Sequence, residues 1–298
     1  MKISTIPNMP ESFELVLFGD DQEGNAAKAT DKYLECIEYI RSDKKRYGIH
    51  MGDCMDAFWI DDYRYNEITV SGRPDEQLKR TIKQLTPLAK TGRLLSVLKG
   101  NHEKSLEDKL QRLGFLKESD INNRICDGLR AISKGQYPIS GTYTNKIEFC
   151  DKKDKLMFKG YFTHGRKMVN SISPDPHRKR ANMQYRLKLI LEQLCGDAIL
   201  QAMGHIHIVL TTLPIKEVYL TNEKNKLKQH YTHAGTGKIG AYIPPEARFF
   251  GATGSFLRTF VEGMETYSEL AQYPPTELGY LKAIIQGGEV VDLQEIKI

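Results

Sequence analysis

Residues 93–105, RLLSVLKGNHEKS, decide how the chain is read. Leu94, Leu95, Val97 and Leu98 make a short apolar run, which fits a buried strand better than a helix. Gly100 ends the run, and Asn101 and His102 follow side by side. A strand that delivers an amide and an imidazole to its tip points to a site, provided that other strands do the same.

Other stretches do. FELVLFGD (13–20) and YGIHMGD (47–53) are strand-like and both end in Gly-Asp. Between them, Ala27, Leu34, Ile37 and Ile40 recur at helical spacing over 26–41. Pro74-Asp75 opens a second helical stretch over 75–90. Strand, helix, strand, helix, strand in succession predicts βαβ units in an α/β layer fold. Residues 104–134 predict two short helices, and 141–165 a hairpin around Asp151–Asp154. A helix over 176–195 and a strand in DAILQAMGHIH (197–207) follow. The remainder is strand-rich, with a hairpin around 222–225, a strand in SFLRTFVEG (255–263) and a closing hairpin across Gly287-Gly288. With no internal repeat or linker, the simplest organisation is one domain over 1–298, with insertions near 104–140 and 214–253 that would shape substrate access.

In open α/β folds, ligands bind beyond the carboxyl ends of strands. The tips here carry Asp20 and Gln22, then Asp53 with Asp56, then Asn101 and His102, then His164, and finally His205 and His207. A lone His after a strand is ordinary, and Gly-Asp is a common turn. Five strand ends that all bear metal-binding side chains in one chain are not ordinary.

In their order, the motifs GDDQ, GDCMD, GNHE, THG and GHIH resemble the signature of the calcineurin-like metallophosphoesterase superfamily, from residue 13 to about 210. The resemblance implies a four-layer α/β/β/α sandwich with two mixed sheets and a dinuclear metal site at the strand ends. It implies that Asp20, Asp53 and His207 bind one metal. Asp53, Asn101, His164 and His205 would bind the other, with Asp53 as the bridge. His102 would face the phosphate and protonate or stabilise the leaving oxygen, with Asp53 beside it in catalysis. Asp56 and Glu103 would orient these groups. The implied reaction is hydrolysis of a phosphate ester by a metal-activated hydroxide. Two divalent ions are expected, Mn²⁺ first, with Fe, Zn, Ni or Mg as alternatives.

Two departures from the pattern matter. Gln22 stands where the family usually has His. An amide oxygen is a neutral, weak ligand, so the first site is expected to bind less tightly and to favour Mn²⁺ or Mg²⁺. The alternative is that Gln22 does not ligate and the first site fills poorly. The arginines by which the phosphoprotein phosphatases of this superfamily grip phosphate are also missing. Lys99 precedes Gly100 in their place, as a partial substitute or as a solvated strand end.

Net charge is +5, unevenly spread. Residues 151–188 hold eleven Lys/Arg against three Asp/Glu, leaving 32 basic against 35 acidic residues elsewhere. Within this block, Asp175 and Pro176 predict a helix start. Met183, Leu187, Ile190, Leu191 and Leu194 would be its buried stripe. Arg178, Lys179 and Arg180 then oppose the helix dipole in its first turn, so they are candidates for binding a polyanion. This favours a phosphodiester substrate, nucleic acid or nucleotide. The alternatives are a phosphomonoesterase acting on phosphoprotein or small molecules, and a non-catalytic binding protein with a degenerate site.

No apolar run approaches a membrane span, and MKISTIPNMPESF carries no signal core. Five widely spaced cysteines form no disulfide framework. The expectation is a cytoplasmic protein with reduced, structural thiols and no membrane partner, its oligomeric state open. The glycine-rich stretches HAGTGKIG (233–240) and GATGS (251–255) read as turns.

Overall fold

The computed structural model describes residues 1–58, 70–114, 121–133, 137–215, 218–223, 226–231 and 242–298. HAGTGKIG, and Asn225 of the expected 222–225 turn, lie outside these residues.

In chain order the elements are β1 (Lys2–Ile6), β2 (Phe13–Phe18), α1 (Thr30–Arg41), β3 (Arg46–His50), α2 (Pro74–Lys90) and β4 (Leu94–Val97). There follow α3 (Asn101–Arg112), α4 (Ile121–Ser133), β5 (Thr144–Cys150), β6 (Leu156–Thr163), α5 (Pro176–Leu191), β7 (Leu200–Met203) and β8 (Val209–Thr212). The chain closes with β9 (Val218–Glu223), β10 (Lys226–Tyr231), β11 (Phe249–Thr253), α6 (Tyr267–Leu270), β12 (Gly279–Gln286) and β13 (Glu289–Lys297).

Two mixed sheets carry the fold. One runs β13-β12-β2-β3-β4 and the other β1-β5-β6-β7-β11-β8, while among the described residues β9 and β10 pair with each other alone. β2, β3 and β4 are mutually parallel, as are β6, β7 and β11. Their carboxyl ends therefore lie together on each sheet.

The period-2 alternation of the strands builds the layers. From β2, Leu15 and Leu17 join Ile49, Phe149, Phe162, Ala202 and Leu281 in a core between the sheets. Val16 and Phe18 point the other way, onto Tyr33, Ile37, Leu85 and Leu129 of α1, α2 and α4. On the second sheet, Tyr161, Met203 and Phe250 pack against Met183, Leu187 and Leu191 of α5. Three apolar interfaces separate four layers, in the order α/β/β/α.

Several local expectations are corrected. Leu34 is exposed, and the buried face of α1 is Tyr33, Cys36, Ile37 and Ile40. Leu194 lies beyond α5 and is half exposed. GATGS is not a turn, because Gly251, Ala252 and Thr253 lie in the fully buried β11. SFLRTFVEG forms only isolated bridges at Ser255, Leu257 and Val261. Lys2–Ile6 forms a strand that was not expected, paired parallel with β5. Its burial is confined to two of five residues, too weak a pattern to read from sequence. α3 and α4, from the stretch read as an insertion, lie in the helical layer, where Leu106, Ile125 and Leu129 are buried. All five cysteines are free and buried. Among the described residues, no helix is long and apolar enough to cross a membrane.

Candidate metal centre

Five loops leave the carboxyl ends of β2, β3, β4, β6 and β7 and meet between the sheets. Asp20 and Gln22 follow β2, Asp53 and Asp56 follow β3, His164 follows β6, and His205 and His207 follow β7. Asn101 and His102 do not hang from a strand tip. They open α3, with Gly100 as N-cap, so the positive end of a helix points at the cluster. The His102 amide uses it, donating to Asp53 Oδ1 at 3.0 Å.

The loops are stitched together by backbone. The Asp20 amide donates to Gly52 O, that of Gln22 to Asp53 O, and that of Glu23 to Cys54 O. Among the described residues, nine non-glycine residues have positive φ, and Asp20, Gln22, Asp53, His205 and His207 are five of them. Each such conformation costs about 1 kcal/mol, and strain of this kind gathers at functional sites. The motif glycines are demanded by close approach. A Cβ on Gly100 would collide with the backbone and carboxylate of Asp53, and one on Gly52 would sit 2.7 Å from His164 Nδ1.

His164, like Asp20, is fully buried. Its Nδ1 donates to Met51 O at 2.9 Å, which leaves Nε2 to face Asn101 Oδ1 at 2.9 Å and Asp53 Oδ2 at 3.2 Å. One ligand atom each from Asp53, His164 and His205 lie within 4.8 Å of one another. Asp20 stands close by. Its carboxylate accepts from the His205 amide at 3.1 Å and lies 3.4 Å from His207 Nε2.

The electrostatics favour a cation here. Burial alone would suppress charge on Asp53, but the His164 and His102 imidazoles hold its carboxyl well below the usual range. Burial likewise opposes a charge on His164, but the Asp53 carboxylate raises it to about 10. His205 is kept low by burial and by His164. Carboxylate, amide and imidazole donors without thiolate are a set that suits Mn, Fe, Zn or Ni. The residues present fit a divalent metal.

His102 lies at the edge. Its Nδ1 donates to Asp56 O at 2.6 Å, and its Nε2 lies 3.5 Å from the Gln22 amide nitrogen. Phe58 packs against the ring, with centroids 5.0 Å apart. Glu103 joins two loops, its carboxylate accepting from the Met55 and Gly100 amides, both at 2.9 Å. Burial and Asp53 raise Glu103 to about 7. Asp56 accepts from Asn25 at 3.1 Å.

The cationic candidates are either paired with carboxylates or exposed. Lys99 donates to Glu107 of α3 at 2.8 Å. Asp175 caps α5, accepting from the Arg178 amide at 2.7 Å. Arg178 and Lys179 are exposed, while Arg180 pairs with Glu295 of β13. Sequence reasoning passed over two groups. Arg166 and Lys167 are exposed cations two and three residues after His164. Asp21, Glu23, Lys28, His50, Arg80 and Gln84 form a buried polar cluster behind the first loop. The signal for the latter was the alternation in DDQE. A cavity of about 510 Å³ opens at the other end of the sandwich, near Phe158, Ile199, Phe249 and Val290, and no motif residue lines it.

No family model matches the sequence, and no curated protein matches it. Among solved structures, a dimetal phosphatase from Danio rerio is similar at 10% identity and a TM-score of 0.42, covering 97% of this chain and 99% of that chain. A metallophosphoesterase from Sphaerobacter thermophilus is similar at 11% identity and a TM-score of 0.35, covering 96% and 88%. An uncharacterized protein from Streptococcus pneumoniae, described as a predicted phosphoesterase, is similar at 10% identity and a TM-score of 0.32, covering 96% and 98%. These likenesses are too distant to carry any residue's role across. By their descriptions, the solved structures that this chain resembles are a phosphoesterase, a metallophosphoesterase and a dimetal phosphatase.

Proposed function

We propose that this chain is a metal-dependent phosphoesterase whose substrate is a phosphodiester of nucleic acid or nucleotide type. The observation that carries the reading is the cluster of buried Asp53 and His164 with half-buried His205, three donors from three loops within 4.8 Å of one another. Asp53, Asn101, His164 and His205 would hold one ion, and Asp20, Gln22, Asp53 and His207 the other. Divalent ions there supply Lewis-acid polarisation of the phosphoryl group and activation of a water.

The chain's own residues supply the rest. His102 holds a proton at Nδ1 for the Asp56 carbonyl, so Nε2 is the atom that can pass a proton to a leaving oxygen. Burial lowers its affinity for that proton, but Asp53 and Asp56 outweigh burial and raise it. His102 thus acts as the general acid. Glu103 and Asp56 fix the loops around it. Arg166, Lys167, Arg178 and Lys179 are exposed cations that draw a polyanion to this end of the sandwich.

A diester is preferred to a monoester because Lys99, the one candidate to replace the missing arginines, is committed to Glu107. A Mn²⁺ assay over bis-nitrophenyl phosphate, nitrophenyl phosphate, DNA and RNA tests the choice. Faster turnover of the monoester would reverse it.

A further inference from the structure

We infer that Lys28 is a positioning residue for the Asp20–Gln22 loop, at the centre of a buried charge cluster that sets the geometry of the weaker metal site. The inference rests on the metal-dependent reading above.

Residues 20–23 alternate. Asp20 and Gln22 reach towards His207 and His102, while Asp21 and Glu23 reach the opposite way, to Lys28. The Lys28 ammonium has three donors and uses all of them. It lies 2.6 Å from Asp21 Oδ2, 2.8 Å from Glu23 Oε2 and 2.8 Å from Gln84 Oε1. The Tyr33 ring covers it, with the centroid 4.2 Å away. The lysine side chain is 3% exposed and that of Asp21 1%.

The cluster extends to the second loop and to α2. Gly52 N–H donates to His50 Nδ1 at 3.3 Å. The His50 proton is therefore on Nε2, which donates to Asp21 Oδ1 at 2.8 Å. Cys54 Sγ lies 3.2 Å from the same Nδ1. Gly52 and Cys54 flank Asp53. From α2, Arg80 Nε donates to Glu23 Oε1 at 2.6 Å and Gln84 Nε2 to Glu23 Oε2 at 2.8 Å. Two carboxylates face two cations, so the cluster is neutral as well as hydrogen-bonded, the condition under which buried charge is tolerated.

This arrangement explains how the loop keeps its shape. Asp20 and Gln22 have φ of 52° and 45°. Left-handed backbone in such residues persists only where the surroundings fix it, and here the residue after each of them, Asp21 and Glu23, is anchored to one ammonium. Lys28→Met keeps the stem and removes the anchor, leaving Asp21 and Glu23 facing each other without a cation between them. The loop then moves, and the ligands it carries move with it. The second ion would be held by Asp53, Asn101, His164 and His205. Of these, Asp53 and His205 touch this loop through main-chain amides, Gln22 N–H to Asp53 O and His205 N–H to the Asp20 carboxylate, so its side-chain donors depend on the loop less directly.

The test is Mn²⁺ titration by calorimetry of EDTA-treated protein, wild type against Lys28→Met. The expected result is two binding steps in wild type, with the weaker one loosened by about 10–100-fold in the variant and the tighter one little changed. Equal loosening of both steps would reveal a general structural role and overturn the inference, as would an unchanged isotherm. Wild-type protein that binds no Mn²⁺ would instead remove the metal-dependent reading, and this inference with it. If Lys28→Met does not fold, Arg80→Met decides. Arg80 sits at the rim with a 37% exposed side chain, and its loss should loosen the same weaker step selectively. No change there overturns the inference.

Discussion

The imidazole of His102 is oriented by a bond from Nδ1 to the main-chain oxygen of Asp56 at 2.6 Å, with the Gln22 amide nitrogen 3.5 Å from Nε2 and the Phe58 ring against its face. A carbonyl can only accept, so the proton on Nδ1 is settled and Nε2 is left for chemistry. His102 also touches Asp53 through its own amide, at 3.0 Å. The same residue thus helps to hold the carboxylate with its backbone, while under the proposed function its ring would serve as the general acid.

His102→Ala removes the ring and keeps the backbone bond to Asp53. Turnover of a phosphodiester should fall by about 10²-fold or more, while metal content measured on the purified protein stays at the wild-type level. Loss of metal in parallel with activity would make His102 a ligand.

Gln22 lies between the two roles that its place allows. It is buried, and its amide nitrogen is 3.5 Å from His102 Nε2; ligation would use the amide oxygen. Gln22→His supplies a stronger donor. The weaker Mn²⁺ step should tighten by about tenfold, read by calorimetry. An unchanged weaker step would mean that residue 22 does not ligate.

The basic helix start divides into two parts. Arg180 is engaged with Glu295, whose carboxylate also accepts from the Thr211 amide at 2.8 Å, so its loss should lower the unfolding midpoint. Arg178 and Lys179 are exposed, and they oppose the dipole of α5. The double variant Arg178→Gln/Lys179→Gln should raise the Michaelis constant for DNA or RNA and flatten its salt dependence. Its turnover of bis-nitrophenyl phosphate should match wild type. Unaltered nucleic-acid cleavage at every salt concentration would remove these residues from substrate binding.

Much of this was legible in the sequence, for identifiable reasons. The strands β2, β3, β4, β6 and β7 are short apolar runs, and each delivers its polar residues within a few positions of its end, so the layer could be read, and with it the convergence of Asp53, His164 and His205. Local pattern was enough for the hairpins too, as Gly287 and Gly288 supply the two positive φ values of a two-residue turn. What escaped depends on contacts distant in sequence. Lys28 and Gln84 are 56 residues apart, and Arg180 and Glu295 are 115 apart. β1 carries too few apolar residues to stand out and is defined by pairing with β5. Gly251 and Gly254 made β11 look like a loop, although a Cβ on Gly251 would collide with Leu281 of the facing sheet. There the glycine serves close packing of the two sheets.

The central claim is that the Asp53 cluster binds metal in order to hydrolyse phosphate esters. The most direct measurement is release of nitrophenolate from bis-nitrophenyl phosphate by EDTA-treated protein, with and without added Mn²⁺, for wild type and for Asp53→Asn. The expected result is turnover that requires Mn²⁺ and is lost in the variant. Turnover that persists without metal or survives in Asp53→Asn, or metal-loaded wild type that releases nothing from either a diester or a monoester, would contradict it.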